Sequence, residues 1–309
     1  MLEIKNLHKR YGKTYAVSDL NLSIPEGEIF GFVGPNGAGK STTMKIICGL
    51  LTATSGEVYV DGVDALRQNK KIKEKIGYMP DFFGVYDDLK VDEYLDFYAS
   101  VYKIKEENKR KIIADLLELV DLSRKKDSYV DNLSRGMKQR LCLARSLIHN
   151  PKILILDEPA SGLDPRARVE MKAILRNLKD MGKTILISSH ILSELAEMCT
   201  SIGIIDNGKM VISGTVSEIM QQVYSKKLIQ IKVNGKLEET VMILKEFPFI
   251  DKITTGENLI QAGFDGGDDD MSRVLSSLVT RAIPVATFAQ LEGNLEDVFM
   301  KVTKGGEEK

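Results

Sequence analysis

Apolar and polar positions alternate along two early stretches, LEIKNL from Leu2 and AVSDLNLSI from Ala16, and this period of two predicts strands. Pro25-Glu26-Gly27 punctuates them as a turn. The unbroken apolar run Ile29-Phe30-Gly31-Phe32-Val33 then reads as a strand buried on both faces, and it leads directly into a glycine-rich stretch. Beyond that stretch, Met44, Ile46, Ile47, Leu50 and Leu51 recur at helical spacing. Residues 91–147 are mostly helical in pattern, as in VDEYLDFYASVY and RKIIADLLELV, whereas KILIL (152–156) and TILIS (184–188) are two more short buried strands. Strands separated by helices predict an α/β fold with a mainly parallel sheet, and such sheets bind ligands at the carboxyl ends of their strands.

The character changes near residue 221, where QQVYSKK reads as a linker. The residues beyond it predict a small α+β unit: strand Leu228–Val233, helix Leu237–Glu246, strands Phe249–Thr255 and Leu259–Phe264, helix Met271–Arg281 and strand Pro284–Ala289. Leu295, Val298, Phe299 and Val302 near the end of the chain make one apolar helix stripe. The acidic run Gly266-Gly267-Asp268-Asp269-Asp270 reads as a loop ending in a helix N-cap; it lacks the ligand alternation of a calcium loop.

Composition narrows the class. The 309 residues carry 43 Lys plus Arg against 44 Asp plus Glu, a net charge of −1, which argues against a nucleic-acid binder. At 43% hydrophobic and 28% charged residues the chain has the balance of a soluble globular protein, and its length exceeds what one core usually fills. Three cysteines without a C-x-x-C pair indicate neither a disulfide framework nor a zinc site. The N-terminal residues lack the apolar region of a signal peptide, and no stretch has the ~18 consecutive apolar residues of a membrane span. A cytoplasmic protein is expected.

Candidate chemistry begins at Gly34-Pro35-Asn36-Gly37-Ala38-Gly39-Lys40-Ser41, which fits G-x-x-x-x-G-K-[ST] without a mismatch. Glycines let the backbone curl so that several N–H groups converge on one cluster of phosphate oxygens, and the following helix adds its positive end. Lys40 would reach the outer phosphates and Ser41 would ligate Mg²⁺, with Thr42 next along the helix. This motif says nucleotide without naming the reaction. A second feature is the strand Ile153–Leu156, which ends in Asp157-Glu158-Pro159. Buried strands rarely finish in adjacent carboxylates unless a cation lies beyond them, although a strand entering solvent would tolerate the same acids. Beside a phosphate loop, Asp157 is placed to hold Mg²⁺, and Glu158 to orient and deprotonate an attacking water.

With an early Tyr11, a segment at 77–81, LSRGMKQR at 133–140, SGLD at 161–164 and His190 after TILISS, these motifs occur in an order that resembles the ATP-binding subunit of an ABC transporter over residues 1–220. The resemblance implies a P-loop NTPase with a RecA-like core, an inserted helical subdomain at about 83–149, and ATP and Mg²⁺ as ligands. It implies that Tyr11 stacks on adenine. Ser134 and Gly136, at the start of a helix with Met137, Leu141, Ala144 and Ile148 as its buried stripe, would face the ATP of a second subunit. Asp164 would couple the two sites, and His190 would contact the γ-phosphate. Residues 221–309 resemble the accessory region of ABC-2-type exporter ATPases, either as a cap on the dimer or as a sensor. The implied partners are a second nucleotide-binding subunit, with a homodimer expected, and an integral membrane permease; the implied location is the cytoplasmic face of the membrane.

Two motifs depart from the family pattern. Arg135 and Met137 replace a glycine and a glutamine in the usual LSGGQ signature. Asp81 follows Gly77-Tyr78-Met79-Pro80 where glutamine is usual, and a carboxylate ligates Mg²⁺ but cannot donate a hydrogen bond as the amide does. Phe82, Phe83, Val85 and Tyr86 beside it form an apolar cluster that either receives a helix of the membrane partner or packs the helical subdomain. Two other functions use a phosphate loop: ABC ATPases acting on ribosomes or DNA, and small-molecule kinases. The first usually carry two cassettes or long coiled coils, and the second lack a signature helix.

Overall fold

The computed structural model describes residues 1–82, 84, 86, 88–223 and 227–291. The chain divides into two compact units, Met1–Val216 and Ser217–Lys309.

In the first unit, β1 (Leu2–Tyr11) and β2 (Thr14–Ile24) form an antiparallel pair, and β3 (Ile29–Val33) leads into helix α1 (Lys40–Ile47). Next come β4 (Ser55–Val60), β5 (Val63–Asp64), α2 (Asn69–Lys75) and β6 (Ile76–Met79). A helical segment comes after them, with α3 (Val91–Val101), α4 (Glu106–Leu119), two 3₁₀ turns and α5 (Arg135–Leu147). The chain then re-enters the sheet through β7 (Ile153–Asp157), α6 (Pro165–Asp180), β8 (Thr184–Ser189), α7 (Leu192–Ala196) and the hairpin β9 (Ser201–Asp206) and β10 (Lys209–Gly214).

Six of these strands make the central sheet in the order β10-β9-β3-β8-β7-β6, parallel except for the edge strand β10. Every residue of β3, β7 and β8 is buried, as expected of parallel strands covered on both faces. The early alternating strands belong elsewhere: β2-β1-β4-β5 form a separate antiparallel sheet. Helix α1 also stops at Ile47, leaving Leu50 exposed rather than on a continuing stripe. In α5, Leu141, Ala144 and Ile148 are buried and Met137 half-buried, and the helix ends ahead of Asn150-Pro151.

Helix α8 (Val216–Val223) begins at the boundary, and the second unit continues with β11 (Lys227–Val233), α9 (Leu237–Lys245), β12 (Ile250–Thr255), β13 (Leu259–Phe264), α10 (Asp268–Thr280) and β14 (Val285–Leu291). This β-α-β-β-α-β order gives an antiparallel sheet β12-β13-β11-β14, with Ile229, Ile231, Leu244, Phe264, Val274 and Leu278 in its core. The three aspartates form the first turn of α10 rather than a loop, where negative charge favours the helix end. Phe83, Val85 and the stripe from Leu295 to Val302 lie outside the described residues. No helix among the described residues is long and apolar enough to cross a membrane.

Candidate active site

Four neighbouring parallel strands, β3, β8, β7 and β6, deliver their carboxyl ends to one edge of the central sheet. The loop 34–39 follows β3, Asp81 follows β6 after Pro80, Asp157 and Glu158 close β7, and His190 follows β8. Register fixes the alignment: Val33 pairs with Ser189, Asp157 with Ser188, and Met79 with Leu156.

The loop is glycine-rich because the backbone approaches its neighbours closely. A Cβ on Gly34 would stand 2.4 Å from the Ile205 carbonyl oxygen. Gly39 has φ 107 and a Cβ there would meet the Ala16 carbonyl oxygen at 2.4 Å, so no other residue fits as the N-cap of α1. No side chain caps that helix, so its first-turn N–H groups face the loop without an internal competitor. Asn36 and Gly37 are exposed, Pro35, Ser41 and Thr42 half-buried, and Ala38 and Lys40 buried. The Lys40 ammonium donates to the carbonyls of Gly34 (2.6 Å) and Pro35 (3.2 Å) and lies 3.9 Å from Glu158 Oε1. Burial lowers its pKa, and the charges of Glu158, Asp157 and Asp81 oppose that fall, which places all three carboxylates within its field.

Asp157 is 2% exposed. Its Oδ1 accepts from Ser188 Oγ at 2.6 Å, and the same hydroxyl accepts the Glu158 N–H at 3.0 Å. Ser188 therefore fixes both acids, a role no sequence motif indicated. Glu158 adopts φ 51, a left-handed conformation that costs a non-glycine residue energy and turns its side chain out of the strand alternation. Its carboxylate is raised in pKa by burial, offset by His190, whose Nδ1 lies 2.9 Å from Glu158 Oε2, and by Lys40. A carboxylate only accepts, so Nδ1 carries the imidazole proton in that bond. The pair is a half-buried acid of elevated basicity held by a ring, suited to accepting a proton.

Elsewhere, Tyr11 is 52% exposed with Lys9 Nζ 4.8 Å from its ring centroid. Ser134 is the exposed N-cap of α5 and accepts from the Met137 N–H at 3.3 Å. Gly136 packs on Leu163 and Ala167 so closely that a Cβ would stand 3.3 and 3.2 Å from them. Asp164 caps α6 by accepting from the Ala167 N–H at 2.8 Å, with Pro165 at the first helical position. His149 stacks on Tyr102 at 4.0 Å and bonds the Ile76 carbonyl, a structural position.

A phosphate loop at the mouth of a parallel sheet, with acids and a histidine converging on its lysine, defines a nucleotide phosphohydrolase of the P-loop class. A family model described as ABC transporter matches residues 17–161. The linearmycin resistance ATP-binding protein LnrL of Bacillus subtilis (strain 168) is 33% identical over 98% of this chain and 98% of its own length. The bacitracin transport ATP-binding protein BcrA of Bacillus licheniformis is 33% identical over 99% of this chain and 98% of its own. Among solved structures, an ATP-binding subunit of an ABC transporter matches with TM-score 0.66 and 31% identity over 72% of this chain and 92% of that one. A dimeric ATP-binding cassette in a post-hydrolysis state with ADP and Pi matches with TM-score 0.64 and 28% identity over 70% of this chain and 99% of that one. The chain belongs to the ATP-binding subunits of ABC transporters, and it binds and hydrolyses ATP.

Proposed function

We propose that this chain powers an exporter: two copies close around two ATP molecules, hydrolysis reopens them, and the motion works a separate membrane permease that selects the substrate. The observation that carries the reading is the convergence of the phosphate loop, Asp81, Asp157, Glu158 and His190 at the ends of four adjacent strands. The roles carried in the names of LnrL and BcrA, resistance and transport, support the export direction.

In this reading Tyr11 stacks on adenine, and Gly34 to Ser41 cradle the phosphates through backbone N–H groups. Lys40 leaves its carbonyl partners for the outer phosphates. Ser41, Asp157 and Asp81 supply hard oxygen donors that fit Mg²⁺, which in such sites takes one or two carboxylates and completes its shell with phosphate and water. When bound, that ion neutralises charge on the β- and γ-phosphates. Glu158 accepts the proton of the attacking water, and His190 holds Glu158 through its Nδ1–H and, with Nε2 also protonated, donates to the γ-phosphate. Ser134 and Gly136 open toward the ATP of the second copy, and Asp164 lies across the same interface. The protein docks at the cytoplasmic face of the membrane through its permease.

Replacing Glu158→Gln is expected to leave ATP affinity within about threefold and to lower turnover by about a thousandfold, measured by phosphate release, since it removes the base and keeps the shape. Normal turnover in that variant contradicts the assignment. Copurification from detergent-solubilised membranes is expected to recover a polytopic membrane protein; recovery of ribosomal RNA or DNA instead contradicts the exporter reading.

A further inference from the structure

The two departures in the signature segment differ in what they touch. Met137 is half-buried within its own helix, whereas Arg135 lies against Gly162 on another segment. A Cβ placed on Gly162 would stand 2.5 Å from Arg135 Cζ and 2.7 Å from both Nη1 and Nη2. A planar group whose centre is nearer than its two ends presents its face, so the guanidinium lies flat on the glycine. Gly162 serves this contact twice, by lacking a side chain and by adopting φ 67.

The contact has two neighbours on the first turns of α5. Gln139, four residues on from Arg135 and 2% exposed, donates from Nε2 to the Ser161 carbonyl at 3.0 Å. Gly136 packs on Leu163 and Ala167. The start of α5 thus grips consecutive residues 161–163. That segment is short and tightly turned: the Ser161 N–H donates to the Glu158 carbonyl and the Leu163 N–H to the Ala160 carbonyl. Glu158 stands at one end of it and Asp164 at the other.

We propose that Arg135 is a positioning residue for ATP hydrolysis. Its guanidinium, stacked on Gly162, clamps the turn 158–164 to the start of α5, so that Glu158, Asp164 and Ser134 are held as one rigid unit. The inference rests on Glu158 acting as the base. A planar, weakly hydrated guanidinium stacks on a peptide in a way that a lysine ammonium does not, so geometry, not charge alone, is what the position requires.

The test is steady-state ATPase kinetics of the full chain carrying R135A, R135K, G162A and R135A/G162A, with E158Q assayed alongside and folding checked by thermal melting. R135A is expected to lower kcat about tenfold with KM for ATP within about twofold, because a misplaced base costs rate and not nucleotide binding. R135K is expected to behave like R135A. G162A is expected to lower kcat about tenfold in the wild-type background but only about threefold beside R135A, the remainder being backbone strain at a positive φ. Wild-type kcat in R135A overturns the clamp. A raised KM that R135K restores also overturns it, since it shows a charge acting on the nucleotide. Equal effects of G162A in both backgrounds overturn the contact itself. Loss of turnover in E158Q alongside any of these shows that the clamp, and not the base, is at fault; normal turnover in E158Q overturns the base, while the two-background comparison still tests the contact.

Discussion

Two helix ends, at Gly39 and at Ser134, begin from similar-looking motifs and are built in opposite ways. The start of α1 is buried, capped by a glycine in a left-handed conformation, and closed in by the Ala16 carbonyl and the Ile205 side chain. Its first residue, Lys40, is buried and held by loop carbonyls. The start of α5 is capped by an exposed serine through a long hydrogen bond, and its first turns grip the chain's own residues 161–163. The first end forms a cradle from one chain. The second is a firmly mounted surface, and a second chain would complete it. Preorganisation is supplied by packing at α1 and by the clamp beneath α5.

Substitutions at the two ends separate these roles. The largest effect is expected from Lys40→Ala, which removes the cation proposed to meet the outer phosphates. ATP affinity should fall about a hundredfold or more, read by isothermal titration, and undiminished affinity contradicts the phosphate-loop assignment. Ser134→Glu places a negative charge where phosphate would approach; turnover is expected to fall about a hundredfold while each chain keeps its ATP affinity within about threefold. A parallel loss of affinity there would show α5 facing its own chain's nucleotide. A smaller effect is expected at His190. Burial raises the Glu158 pKa and His190 offsets the rise, so wild-type turnover falls as pH drops through a value above the ordinary glutamate range. His190→Ala removes the offset, and the acid limb of kcat should move to higher pH. A downward shift contradicts the pairing of ring and carboxylate.

The phosphate loop was legible from sequence because its constraints are steric and local, leaving glycines at fixed spacing. The acids of β7 were legible because two carboxylates ending an apolar strand are anomalous wherever the strand lies. Ser188 was not, because a serine in TILISS resembles any strand residue until parallel register sets it opposite Asp157. The positive φ of Glu158 left no composition signal either. Membership of the first strands in a separate sheet depends on β1 pairing with β4, a contact across a long sequence separation. Arg135 read as a departure from a motif, and only its placement on Gly162 gives it an occupation.

In the proposed dimer two chains share the nucleotide, one offering its phosphate loop and the other its α5 end. This sharing is tested most directly by sedimentation velocity of the Glu158→Gln variant with ATP and Mg²⁺, beside the same variant carrying Ser134→Glu. A dimer is expected with ATP, a monomer with ADP, and a monomer with ATP once Ser134 is replaced. A Glu158→Gln chain that binds ATP and stays monomeric at concentrations well above its affinity for ATP would contradict that sharing.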